Sequence, residues 1–176
     1  MPPSPVITAS GSLQICDGES VQLSVQADSN FALQFDGIDD YLHGDNSDLP
    51  YGSSSRTVEA WINPSNVSDG TIFSYGVTVG NFTLGLKNGK IYGHSVSDVD
   101  GFIETHESFG TTTLVPGTWY HVAFEYFNFQ YRLYLNSALE SESFAYNYVM
   151  GDKYKIGANI NGAHFYSGLI DELRVW

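Results

Sequence analysis

The chain has 176 residues, carries 20 Asp+Glu against 7 Lys+Arg for a formal charge of -13, and is 15% aromatic with 18 glycines. Such a surplus repels phosphate backbones and anionic lipid and attracts cations, so nucleic-acid binding and membrane-surface binding are set aside, while neutral ligands meet no penalty. The length suits one β-rich domain with a substantial core, no apolar run reaches the length of a membrane span, and a single cysteine, Cys16, forbids an intrachain disulfide.

The opening MPPSPVITAS has neither the basic nor the apolar region of a signal peptide, which leaves an intracellular protein or a piece of a larger exported chain. Residues 1–5 are rich in Pro and Ser and are expected to be extended. Over 6–27 the pattern reads strand, turn, strand: Leu13 and Ile15 alternate, Cys16-Asp17-Gly18-Glu19 breaks the run, and Val21, Leu23, Val25 and Ala27 share one face. Two strands do not make an independent domain. The run PVITASGSLQICDGESVQLSV resembles the opening strands of immunoglobulin-like modules in large bacterial surface proteins, without their later strands. Residues 1–29 therefore read as an extended adaptor that packs on the remainder of the chain or stays mobile.

Asp28-Ser29-Asn30 marks the junction with a second domain over 30–176. Phe31, Leu33 and Phe35 alternate into Asp36-Gly37, and an acidic, turn-rich span continues to residue 55. Val58, Ala60 and Ile62 form the apolar face of the next strand, with Glu59 and Trp61 opposite. Strands are expected near 71–76, 81–86 and 89–94, the last two joined by the hairpin signal Lys87-Asn88-Gly89. The 95–116 span reads as a long loop with one short strand.

Residues 117–136, GTWYHVAFEYFNFQYRLYLN, are two period-2 runs around a polar break, which is how two half-buried hairpin strands read. A turn centred on Asn128-Phe129 sets Tyr126 opposite Tyr131, Phe124 opposite Leu133 and Val122 opposite Leu135 on an apolar face. The other face then holds His121, Glu125, Phe127, Gln130, Arg132, Tyr134 and Asn136, with Glu125 across from Arg132. A one-residue slip would bury that ion pair, so the register is strongly specified. Phe129 resists the positive φ of a two-residue primed turn, which leaves a longer loop open. Trp119 is expected inside, and strands are expected again at 138–144, 153–157 and 165–176. Many short strands with Gly-rich turns predict an all-β, two-sheet antiparallel sandwich or jelly roll.

Five stretches, ALQFDGIDDYL at 32–42, RTVEAWINPS at 56–65, GTWYHVAFEY at 117–126, RLYLN at 132–136 and GLIDELRVW at 168–176, resemble the laminin-G-like, concanavalin-A-like jelly-roll domains and occur in that family's order. The resemblance implies a non-catalytic, monomeric binding module of a larger extracellular or cell-surface protein, taking carbohydrate or another protein, often with a structural calcium ion. Carried over, the calcium ligands are Asp36, Asp171 and either Asp39 or Asp40, with the Gly37 carbonyl, and hard oxygen donors of this kind suit calcium. Asp171, read between Leu169, Leu173 and Val175 on an apolar face, needs compensation there; backbone amides of the 36–41 turn are the alternative to an ion.

Sugars stack C–H faces on rings and pair hydroxyls with amides, carboxylates and guanidinium groups. The hairpin face offers Glu125, Gln130, Arg132, Tyr134 and Asn136, with Trp61 and His94 placed on neighbouring strands, as a carbohydrate platform. A protein–protein adhesion module using the 95–113 loop and the Phe127/Phe129 tip is the rival reading. A polysaccharide hydrolase is less favoured: the Glu-x-Asp-x-x-Glu signature of catalytic relatives is absent, and Glu59 and Glu125 are the only strand acids on an open face.

Overall fold

The computed structural model describes residues 7–10, 22–25, 32–45, 48–99 and 101–176. The chain divides into two compact units, Met1–Phe31 and Ala32–Trp176. In the first, β1 (Ile7–Ser10) pairs antiparallel with β2 (Gln22–Val25), Ile7 opposite Val25. β2 falls where the alternation through Leu23 and Val25 placed a strand; the strand expected at Leu13 and Ile15, Cys16 and residues 1–5 lie outside the described residues.

The second unit is built from two antiparallel six-stranded sheets. The first sheet runs β12 (Ala138–Phe144), β11 (Gln130–Leu135), β10 (Tyr120–Phe127), β5 (Arg56–Pro64), β14 (Ser167–Val175), β3 (Leu33–Asp36). The second runs β4 (Leu42–Asp45), β13 (Lys153–Ile156), β6 (Gly70–Gly76), β7 (Asn81–Lys87), β8 (Lys90–Val99), β9 (Phe102–Phe109). Alternate residues of each sheet meet in one core: Val58, Ala60, Ile62, Val122, Phe124, Leu133 and Ile170 from the first, Phe73, Phe82, Leu84, Leu86 and Ile91 from the second. Phe124 marks how closely the layers approach, its ring stacked on Phe82 at 4.3 Å. A Cβ at Gly93 of β8 would lie 2.4 Å from Phe124 Cε2, so no larger residue fits beneath that ring.

The central hairpin has the register its alternation predicts, with Val122 opposite Leu135, Phe124 opposite Leu133, Glu125 opposite Arg132 and Tyr126 opposite Tyr131. Its turn is the tight one: Asn128 and Phe129 both take positive φ, at 49° and 63°. A left-handed Phe costs about 1–2 kcal/mol. Contacts offset it, because the Phe129 ring lies 6.0 Å from Phe144 and 6.1 Å from Tyr146, and its carbonyl accepts the Ala145 N–H at 3.0 Å.

Three expectations are corrected. The acidic span after Asp36 contains β4, an edge strand whose mostly exposed side chains leave no apolar alternation to read. The 95–116 span is largely strand, since β8 runs to Val99 and β9 fills Phe102–Phe109. Its inward positions are hydroxyls and an imidazole instead of aliphatics: Ser95 Oγ pairs with Tyr131 OH at 2.6 Å, Ser97 Oγ accepts the Tyr148 N–H at 3.0 Å, and His106 stacks on Tyr131 at 4.4 Å. Buried polar groups satisfied in this way erase the apolar period without breaking the strand. Trp119 is 40% exposed, because Tyr120, 9% exposed with its hydroxyl accepting the Val115 N–H, occupies the inward position instead.

One buried charge braces the unit. Arg56 at the start of β5 is 2% exposed, donates to the carbonyls of Gly52 (2.5 Å) and Ser54 (2.6 and 2.8 Å) and to Tyr75 OH (3.3 Å), and lies over the rings of Phe82 and Tyr126.

Candidate ligand-binding site

The outer face of the first sheet brings together most of the residues chosen from the sequence. Glu125, Gln130, Arg132 and Tyr134 lie side by side, and Trp61 stands on β5 opposite His121 of β10, with the two rings 5.4 Å apart. Asn136 sits in the next turn, its Oδ1 accepting the His121 N–H at 2.9 Å. These polar groups are already engaged with one another. Arg132 donates to Glu142 (2.6 Å), Glu125 (3.1 Å) and Gln130 (2.5 Å), and Tyr134 OH reaches Glu125 at 3.4 Å. The two carboxylates hold the guanidinium firmly in its charged form and push its pKa up, while burial and Glu125 raise that of Tyr134.

Glu59 and Glu125 also share this face, on adjacent strands and two residues out of line, since Glu59 is opposite Ala123 and Glu125 opposite Thr57. Glu59 is held by His121 (3.5 Å), Arg174 (3.6 Å) and the Trp176 indole N–H (3.2 Å). Neither carboxylate lines either of the two clefts on the second sheet.

The acidic turn after β3 gathers Asp36, Asp39 and Asp40, whose carboxylate oxygens lie within 4.8 Å of one another, all exposed. Asp36 Oδ1 accepts the Ile38 N–H (2.7 Å) and Asp40 Oδ2 the Asp36 N–H (3.2 Å). Three converging carboxylates with remaining lone pairs fit the oxygen donor set of calcium. Asp171 does not belong to this group, which corrects its placement on an apolar face. Ile170 takes the core position at 1% exposed, Asp171 pairs with Trp61 on the outer face, and its Oδ1 accepts the Glu172 N–H at 2.8 Å. A bulge with Glu172 at φ 47° then returns Leu173 and Val175 to the core side, so the period-2 pattern does not run through the strand unbroken.

His94 is likewise corrected: it lies on β8, opposite Thr83 of β7, and so faces outward from the second sheet instead of joining the hairpin. There it lines a cleft of about 160 Å³ with Ser74, Asn81, Thr83 and Tyr92 from the sheet and Asn159, Asn161 and His164 from the loop after β13. The floor is ordered, with Ser74 and Thr83 hydroxyls 2.7 Å apart. The loop is braced by its own bonds, because Asn159 Oδ1 accepts the N–H groups of Asn161 (3.1 Å) and Ala163 (2.9 Å), and the His164 carbonyl accepts the Thr71 N–H (2.7 Å). Asn81 is 4% exposed and gives both amide hydrogens to Val77 and Thr78 carbonyls, and its Oδ1 has no donor among the described residues.

Tyr92 forms one wall, its hydroxyl donating to Glu107 at 2.5 Å and its ring 4.8 Å from Lys87 Nζ. Burial and the Glu107 bond push the Tyr92 hydroxyl pKa well up, and the bonds from Tyr92 and Lys87 hold the Glu107 carboxyl down. Burial lowers the His94 pKa against the pull of Glu107, leaving near pH 7 a neutral imidazole that can both donate and accept. A second cleft of about 540 Å³ adjoins the first through Ile160 and Asn161 and is lined by Tyr41, His43, Asp45, Thr78, Lys153 and Lys155. Sequence reasoning missed every residue of these clefts except His94. The alternation of NFTLGLK on β7, with Phe82, Leu84 and Leu86 inward, could have flagged Asn81 and Thr83 as outward partners.

Comparison with known proteins places this geometry. No curated protein sequence matches significantly. Among solved structures, the chain is similar to the heptameric SAP-like pentraxin of Limulus polyphemus, at 20% identity over 81% of this chain and 74% of that one with a TM-score of 0.60. It is similar to domains LG4-5 of the mouse laminin alpha1 chain, at 16% identity over 81% of this chain and 40% of that one with a TM-score of 0.65. It is also similar to the CBM40 of a Ruminococcus gnavus IT-sialidase bound to alpha2,3 sialyllactose, at 17% identity over 84% of this chain and 89% of that one with a TM-score of 0.62. At such identities the shared property is the fold. A family model described as the concanavalin A-like lectin/glucanases superfamily, of laminin G type, matches residues 36–176, and the chain belongs to that superfamily.

Proposed function

We propose that this chain is a non-catalytic carbohydrate-binding module whose ligand sits on the outer face of the second sheet, in the cleft walled by Tyr92, His94 and the 159–164 loop. The observation that carries this reading is the chemistry of the lining. Hydroxyls, carboxamides and a neutral imidazole converge on one concave space, a mixed set of donors and acceptors of the kind a polyhydroxylated ligand pairs with. The similar CBM40 structure, solved with a bound sialylated sugar, supports the substrate class. The hairpin face is the weaker platform, because none of its residues lines either cleft. Calcium, held by Asp36, Asp39 and Asp40, completes the reading as a structural ion that relieves carboxylate repulsion between β3 and β4. Location in a larger extracellular or cell-surface protein accords with the same role.

Affinity electrophoresis in gels containing neutral and acidic polysaccharides tests the assignment. Retardation abolished in His94→Ala and kept in Tyr134→Ala is the expected result; loss in Tyr134→Ala with His94→Ala unaffected returns the site to the hairpin. The second reading, protein–protein adhesion, is favoured by the exposed rings at one sheet end, Phe127 at 52%, Phe129 at 45% and Phe144 at 75%. Silence across a broad glycan panel supports it.

A further inference from the structure

The fixed cations of this strongly acidic chain separate by type, with Arg56, Arg132 and Arg174 all on the first sheet. Every lysine, namely Lys87, Lys90, Lys153 and Lys155, belongs to the second sheet. Three of them line the two adjoining clefts, together with His43, His94 and His164, against the carboxylates of Asp45 and Asp69. Lys87 is committed to Glu107 at 2.9 Å. Lys155 is different. It is half-buried, no carboxylate lies within 4.0 Å of its ammonium among the described residues, and its Nζ is held 4.5 Å from the centre of the Tyr41 ring. The loop makes room for it, because a Cβ at Gly162, where φ is 75°, would stand 3.0 Å from that Nζ. Ile160 and Asn161, just before Gly162 in the same loop, line both clefts.

A partly desolvated cation in a cleft is stable only with an ion, a ring or water as partner, and the ring satisfies one side alone. In a molecule of formal charge -13, a lysine ammonium set in a concave cleft with no carboxylate within 4.0 Å among the described residues selects for the sign of its ligand. We propose, resting on the carbohydrate reading of the His94 cleft, that the two clefts form one extended site for a carboxylated saccharide. The sugar hydroxyls occupy the His94 cleft, and the carboxylate sits against Lys155, with His43 and Lys153 at its margin.

Isothermal titration of the whole chain with two matched probe pairs tests this: tetragalacturonate against its methyl ester, and alpha2,3 sialyllactose against lactose. The expected result is at least one acidic member binding about tenfold or more tightly than its neutral partner, with that ratio collapsing toward one in Lys155→Met. Equal binding within both pairs, or a ratio unchanged in Lys155→Met, overturns the carboxylate assignment and leaves the carbohydrate reading standing. Tighter binding of a sulfated lactose than of sialyllactose overturns the carboxylate in favour of sulfate. No binding of any probe overturns both readings. The wild-type ratio does not depend on how well the variant folds, and Lys153→Gln at the exposed margin gives a second, smaller reduction that a purely structural lysine would not produce.

Discussion

The close approach of the two sheets at Phe124 makes a quantitative prediction. A methyl group at residue 93 would overlap the Phe124 ring, with 2.4 Å to Cε2 and 2.6 Å to Cζ, and that ring is fully buried and stacked on Phe82. Overpacking of this kind costs about 1–3 kcal/mol. Gly93→Ala should therefore lower the melting temperature by roughly 2–12 °C for a chain of this size. Phe124→Leu alone loses ring contacts and stacking, about 1–2 kcal/mol. In the double variant the methyl occupies space the ring has vacated, so the two losses should not add, and the coupling should be about 1 kcal/mol or more in the stabilising direction. Urea titrations followed by tryptophan fluorescence report this unit alone, since Trp61, Trp119 and Trp176 all lie within it. Gly93→Ala within about 0.5 kcal/mol of wild type, or strict additivity, would refute the packing argument.

Arg56→Met strands the Gly52 and Ser54 carbonyls and the Tyr75 hydroxyl and should cost about 2–4 kcal/mol in urea titration, with Arg56→Lys recovering less than half because an ammonium lacks the planar fork; a loss below about 1 kcal/mol contradicts the bracing role. Glu140 is pushed up by burial, but four bonds from Thr111 and Thr112 amides and hydroxyls win and hold its pKa down to about 2, from 4.5. Its folded value lies below its unfolded one, so the stabilisation is complete above pH 4.5 and is lost as the pH falls toward about 2. Solvent screening at this partly exposed site reduces it to about 1–2 kcal/mol. Acid titrations of wild type and Glu140→Gln should converge near the low end, and a gap constant with pH would contradict the assignment. Calcium should raise the melting temperature of wild type and not of Asp36→Asn/Asp40→Asn, with Asp171→Asn behaving as wild type; no change on adding EDTA to calcium-loaded protein removes the ion.

The sequence was most legible where one face is oil and the other water. Val122, Phe124, Leu133 and Leu135 set the hairpin register, and the pairing matches it residue for residue. Legibility failed where the interior is polar. Ser95, Ser97, His106 and Ser108 point inward on β8 and β9 yet carry no apolar period, so the end of β8 and most of β9 read as a long loop with one short strand. The site was obscured for another reason: its walls come from β7, β8 and the loop after β13, far apart in sequence, and nothing local tells which sheet His94 serves. The two-residue turn at Asn128-Phe129 depended on the Phe144 and Tyr146 rings, a contact made only after folding.

Chemical-shift mapping of backbone amides in the presence of a bound oligosaccharide tests the central claim most directly, because both sheets are monitored in one experiment. The account predicts that the largest shifts fall on Thr83, Tyr92, His94 and Asn161, with Gln130, Arg132 and Tyr134 unmoved. Shifts centred on Arg132 and Tyr134 instead, with the second sheet silent, would contradict it.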